Sequence, residues 1–160
     1  MKKPASRILV INDEKLVLKE LTKGLNAAAK SLENPLGINF IGVTTAHESL
    51  QAIEADGDIQ AVVVDDTLYT LKTAEKGSRS LQMTALELVQ KINRFRPELN
   101  IYILIAQEQE DEVVDALFSE TVDGYFYREE RDYRGMYRIL NAQQQEKART
   151  PIYDQLKNYV

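Results

Sequence analysis

The chain has no cysteine and no tryptophan, one histidine, and only seven glycines and four prolines in 160 residues. Without cysteine there is no disulfide, no thiolate nucleophile and no Cys-based metal site. His47, the lone histidine, lies in Thr45-Ala46-His47-Glu48 at the expected first turn of a helix, and reads as a surface residue. Sparse Gly and Pro argue against fibrous and disordered classes. The glycines form neither a G-x-G-x-x-G nor a Walker pattern, and no Ser-His-Asp order is present. No catalytic and no cofactor-binding residue is assigned. No apolar run approaches the ~20 residues of a membrane helix, and the start, MKKPASRILVIND, lacks the apolar stretch of a signal peptide. The expected location is therefore cytoplasmic, with no membrane partner.

What is present is ordinary for one globular domain: 44% apolar and 28% charged residues. Net charge is −5, and the basic residues look spread among acids rather than gathered in a stripe. Phosphate binding needs a positive face, so nucleic acid is not an expected partner.

Hydrophobic patterning alternates between two periods. RILVIN (7–12), INFIGV (38–43), AVVVDD (61–66), IYILIA (101–106) and VDGYFY (122–127) read as strands. Between them, Leu18, Leu21, Leu25, Ala28 and Leu32 recur at helical spacing, and Asn34-Pro35 with Gly37 ends that helix. Thr44 or Thr45 caps a second helix carrying Leu50 and Ile53 inward. MTALELVQKINRF turns Leu88, Ile92 and Phe95 to one face, and DEVVDALF is a short fourth helix. A last helix over about 130–148 aligns Tyr133, Met136, Tyr137 and Leu140. Tyr102, Tyr125 and Tyr127 are expected as core or half-buried packing. Five strands alternating with helices imply an α/β fold, a five-stranded parallel sheet of flavodoxin or receiver type. Its expected strand order is 2-1-3-4-5, with helices on both faces. Ligands of such sheets sit at the carboxyl ends of strands one and three, where Asp13, Asp65 and Asp66 fall.

Acids at strand ends either hold a hard cation such as Mg²⁺ or are simply solvated. ILVINDE, AVVVDD and MTALELV resemble the first strand, third strand and third helix of phosphorylatable response-regulator receivers, over about residues 7–130. The resemblance implies Asn12 and Asp13 at the acidic pair, Asp65 at the phosphoacceptor, and Mg²⁺ held by Asp13 and Asp65. Three departures weigh against that chemistry. Ile105 replaces a Thr or Ser hydroxyl, Arg128 replaces a lysine, and Glu129 replaces the adjoining proline. Arginine keeps the charge but not the compact ammonium point.

The polar 67–82 segment carries Lys72, Lys76 and Arg79 against Glu75. It is either a solvated loop or a candidate anion or partner contact. REERDYR (128–134) reads as a solvated helix start, with Arg131 and Arg134 placed to bridge to a neighbouring subunit. NAQQQEKAR then looks like a linker. Thr150-Pro151 signals a new helix, with Ile152, Tyr153, Leu156 and Tyr159 as candidate interface residues. VDGYFYREE, a long helix and TPIYDQLKNYV resemble the junction in bacterial pyridoxal-phosphate-dependent ornithine, lysine and arginine decarboxylases. There a receiver-like amino-terminal wing precedes the catalytic part. This resemblance implies a wing at 1–148 and, at 149–160, the start of a linker or helix toward a catalytic domain outside this chain. It further implies a homo-oligomeric parent whose partners are its own remaining chain and other subunits, with pyridoxal phosphate bound elsewhere in that parent. A stand-alone receiver phosphorylated on Asp65, and a phosphorylation-independent pseudo-receiver binding module, are the alternatives.

Overall fold

The computed structural model describes residues 6–65, 85–107 and 122–158, the last eleven of these by backbone alone. Strands β1 (Arg7–Ile11), β2 (Asn39–Val43), β3 (Ile59–Asp65), β4 (Asn100–Ile105) and β5 (Gly124–Tyr127) form one sheet. The order is β2-β1-β3-β4-β5, and every pairing is parallel. Helices α1 (Lys15–Ser31), α2 (Ala46–Ala55), α3 (Ala85–Phe95) and α4 (Tyr133–Asn158) and a 3₁₀ turn (Arg128–Glu130) complete the described elements. The doubly wound fold expected from the sequence is the fold observed.

β3 and β4 are buried along nearly their whole length because both faces of the sheet are covered. On one face Leu9, Ile11, Val62, Val64, Ile101, Ile103 and Ile105 pack with Ile53, Leu88 and Ile92. On the other, Ile8, Val10, Ala61, Val63, Tyr102 and Leu104 pack with Leu25, Ala28, Met136, Tyr137 and Leu140. α1 and α4 approach closely at Gly24, where an added Cβ would lie 2.5 Å from the Tyr133 ring. α1 closes as expected: the Leu32 N–H donates to the Ala28 carbonyl, and Gly37 turns the chain at φ +64°. Asn34 holds that turn, accepting from the Ile38 N–H and donating to the Ile38 carbonyl. One residue pair further along β2, Asn26 of α1 treats Phe40 in the same way. Thr45 caps α2 by accepting the Glu48 N–H.

Several expectations need correction. Phe95 is 49% exposed, because it falls at the end of α3, beyond the sheet that buries Leu88 and Ile92. Tyr125 is 37% exposed on a border strand, while Tyr127 is half-buried. The last helix starts at Tyr133 and does not stop at 148: it runs unbroken through the supposed linker and past Pro151 to Asn158. Ala, Gln, Glu and Lys are good helix formers, and two of the polar ones here have partners. Gln144 donates to Asn100 in a buried pair at 3.0 Å, and Lys147 donates to the Gln60 carbonyl at 3.2 Å. Burial lowers the Lys147 ammonium pKa. Nor are the basic residues evenly spread, since α1 gathers four exposed lysines. No helix among the described residues is long and apolar enough to cross a membrane.

Candidate functional site

Parallel winding brings the ends of β1, β3 and β5 together at the carboxyl edge of the sheet, and each delivers one polar side chain. β1 delivers Asn12, β3 ends in Asp65, and β5 runs into a 3₁₀ turn, Arg128–Glu130, that begins with Arg128. β4 lies between β3 and β5, so Arg128 reaches over it. Its Nη2 donates to Asp65 Oδ1 at 2.6 Å, and its Nε lies 3.4 Å from Oδ2. Asn12 Nδ2 donates to Oδ2 at 2.6 Å, and Asn12 Oδ1 accepts the Glu14 N–H at 2.8 Å.

Asp65 is 1% exposed, so its carboxylate has left water and needs strong compensation. A guanidinium and an amide provide it. The neighbouring Glu129 ties the same turn to β4: its carboxylate accepts the Gln107 N–H at 3.0 and 3.2 Å, which lowers its pKa below the ordinary glutamate value. The ends of β1, β3, β4 and β5 are thus joined by side chains within one short turn.

This arrangement bears directly on the Mg²⁺ site that the receiver resemblance implies. A hard cation needs several anionic or carbonyl oxygens converging on one point. Here Asn12 presents an N–H to Asp65, Arg128 sets a positive charge against the same carboxylate, and Ile105 is fully buried without a hydroxyl. Among the described residues no group of three His, Asp or Glu side chains could hold a metal ion. The described residues do not fit the cation, and no step is derived through it. Asp13 is half-buried beside the cluster, and Asp66 lies outside the described residues.

The remaining sequence candidates do not join this site. Lys72, Lys76 and Arg79 lie outside the described residues, as do the short helix expected at 111–118 and Tyr159. Ile152, Tyr153 and Leu156 fall within α4, described by backbone alone. Arg131, expected to reach a neighbouring subunit, pairs within the chain with Glu20 at 3.4 Å. His47 is exposed in the first turn of α2. The sequence placed Arg128 opposite the receiver lysine but did not reveal its bond to Asp65. The signal was the order 2-1-3-4-5, which sets the end of β5 two strands from the end of β3.

No protein-family model and no curated protein matches the chain. Solved structures do. A signal receiver domain of an HD domain-containing protein from Pseudomonas fluorescens Pf-5 superposes with TM-score 0.63 at 15% identity, covering 92% of this chain and 98% of that one. A Francisella response-regulator receiver domain gives TM-score 0.61 at 16% identity, covering 87% and 98%. A CheY-like receiver protein from Methanospirillum hungatei JF-1 gives 0.60 at 18%, covering 89% and 98%. At these identities the likeness establishes the fold: this is a receiver-like, flavodoxin-type domain.

Proposed function

We propose that this chain is a phosphorylation-independent receiver-fold module that works by contact, as an assembly or regulatory domain. The observation that carries this reading is Asp65 buried between Arg128 and Asn12. An acceptor carboxylate must present a lone pair to an incoming phosphoryl group while a metal neutralises the developing charge. Asp65 spends its oxygens on a guanidinium and an amide, and Ile105 offers no hydroxyl beside it.

The finer reading names the parent. Residues 122–160 resemble the wing-to-catalytic junction of pyridoxal-phosphate-dependent ornithine, lysine or arginine decarboxylases, and a receiver fold without receiver chemistry is what such a wing requires. In that reading the parent removes the α-carboxylate of a basic amino acid, and this domain contributes surface to a homo-oligomer. The cofactor's chemistry belongs to the parent, since no lysine here sits in a Ser-x-His-Lys context.

The shared receiver fold favours the other reading, a response-regulator domain phosphorylated on Asp65. Incubation with acetyl phosphate and Mg²⁺ followed by intact-mass analysis separates the two. No added phosphoryl mass is expected; a stoichiometric adduct that Asp65→Asn abolishes would establish the phosphorylatable receiver. Sequencing the native gene beyond the Val160 codon tests the parent. A long continuation containing a Ser-x-His-Lys stretch is expected, and an immediate stop would leave a stand-alone module.

A further inference from the structure

α2 and α3 lie on one face of the sheet, where Ile53 of the first and Leu88 and Ile92 of the second share a core. Both return from the carboxyl edge of a parallel strand, so they run in the same direction. Between their later turns lies an open groove of about 360 Å³. Leu50 and Glu54, one turn apart on α2, form one wall. Lys91, Arg94 and Phe95, at i, i+3 and i+4 of α3, form the other. The groove is thus acidic on one side and basic on the other. Half-buried Leu50 and Phe95, 49% exposed, supply apolar surface between them. Glu54, Lys91 and Arg94 are exposed, and none has an ion-pair partner among the described residues. The other exposed acids of these helices, Glu48 and Glu87, lie in their first turns, away from the groove.

We propose that the α2–α3 groove is a self-association surface, its occupant the same groove of a second copy of this chain. An exposed aromatic beside unpaired charges of both signs fits a partner with apolar surface and the same charges in reversed order. An acidic peptide, a nucleic acid or an anionic membrane would meet Glu54, and a basic segment would meet Lys91 and Arg94. A second copy supplies the reversed order by symmetry alone, since in an isologous contact residue i meets j and j meets i. A two-fold axis along the groove sets α2 of one copy over α3 of the other. Glu54 then faces Lys91 and Arg94 at two equivalent contacts, and Phe95 of each copy packs beside Leu50 of the other. An axis across the groove would instead stack α2 on α2, with Glu54 against Glu54, so charge selects the first arrangement. The inference rests on the contact role proposed above for its purpose, whereas the contact itself uses no residue of the Asp65 cluster.

The test is sedimentation velocity of the full 160-residue chain over a concentration series. A reversible dimer with a dissociation constant of about 10 μM to about 1 mM is expected, because two short helices bury less than the roughly 1,600 Å² of a standard interface. Glu54→Lys and Lys91→Glu/Arg94→Glu each turn attraction into repulsion at both equivalent contacts. Each should weaken the dimer by about tenfold or more, with an unchanged far-UV CD spectrum. Mixing the two variants restores opposite signs at both contacts, so a heterodimer within about threefold of the wild-type affinity is expected. Lys19→Glu/Lys23→Glu, on α1 across the sheet, shifts net charge as much as the α3 pair and should change association by less than about twofold. A chain monomeric throughout that range overturns the proposal, as does a dimer that the groove variants leave intact. Equal losses in the α1 variant, or a mixture that stays monomeric, overturn it too. An acetyl phosphate adduct on Asp65 would overturn the phosphorylation-independent reading and leave this contact standing.

Discussion

Replacing Arg128 by Met removes the guanidinium from Asp65 while keeping a side chain of similar reach. Breaking a buried ion pair from one side costs roughly 3–5 kcal/mol, because the remaining charge is stranded. Two features of the geometry set the value here. Asp65 is 1% exposed, but Arg128 is 29% exposed, so its departure opens a path for water to the carboxylate. Asn12 continues to donate at 2.6 Å. The expected loss is therefore about 2–3 kcal/mol, a large share of the ~5–15 kcal/mol typical of a whole domain. Asp65→Asn alone should cost less, about 1–2 kcal/mol, because a partly exposed guanidinium regains water. Urea unfolding followed by far-UV CD on the wild type, both single variants and the double variant closes a thermodynamic cycle. A coupling of about 2 kcal/mol is expected, surviving in about 1 M NaCl because the pair is screened poorly. A coupling below about 0.5 kcal/mol would refute the reasoning, since additive losses mean the two residues do not sense each other.

Gly24→Ala drives a methyl into the Tyr133 ring; overpacking of this kind costs about 1–3 kcal/mol. A melting temperature equal to wild type would show that the helices separate freely. Gln144→Leu leaves the buried Asn100 carbonyl oxygen without its donor, a loss of about 1–3 kcal/mol readable as a lower urea midpoint. On the acid side the lowered Glu129 pKa means stability is present above the ordinary glutamate value and lost as pH falls through the lowered one. Glu129→Gln should flatten that part of the pH profile of the urea midpoint, and an unchanged profile would deny the Gln107 contact. On the alkaline side burial, aided by the negative charge of Asp123, pushes the Tyr102 phenol up to about 12. Its contribution is complete below the ordinary value of about 10 and lost as pH rises through about 12. Tyr102→Phe should remove that fall, measured as urea midpoints between about pH 9 and 12.

Much of the architecture was legible because burial on both faces leaves a short, continuous, β-branched apolar run that an edge strand does not show. AVVVDD, short, valine-rich and apolar without alternation, read as a central strand, and the spacing of Leu18, Leu21 and Leu25 read as a covered helix. Periodicity says which face points inward but not how far the underlying sheet extends, so Phe95 continued the pattern of Leu88 and Ile92 past its cover. Polarity misled in 141–149, where Gln144 and Lys147 looked solvated yet meet Asn100 and the Gln60 carbonyl. At the site, Asp65 and the replacement of a lysine by Arg128 were visible in the sequence. Their contact was not, because it spans 63 residues and exists only once β4 lies between β3 and β5.

Asn34 and Asn26 have a consequence beyond their own turn and helix. Along a border strand, alternate residues aim their main-chain donor and acceptor away from the sheet, and on β2 and its approach these are Ile38, Phe40 and Gly42. The two asparagine amides already satisfy Ile38 and Phe40, each giving one hydrogen bond and receiving one. A foreign strand that tried to extend the sheet from this side would find its places occupied and only the Gly42 position to grip. The molecule thereby blunts its own capacity to template aggregation or strand exchange at that border. The protection comes from ordinary side chains of a helix and a turn, without the charges or prolines more often placed on the strand itself.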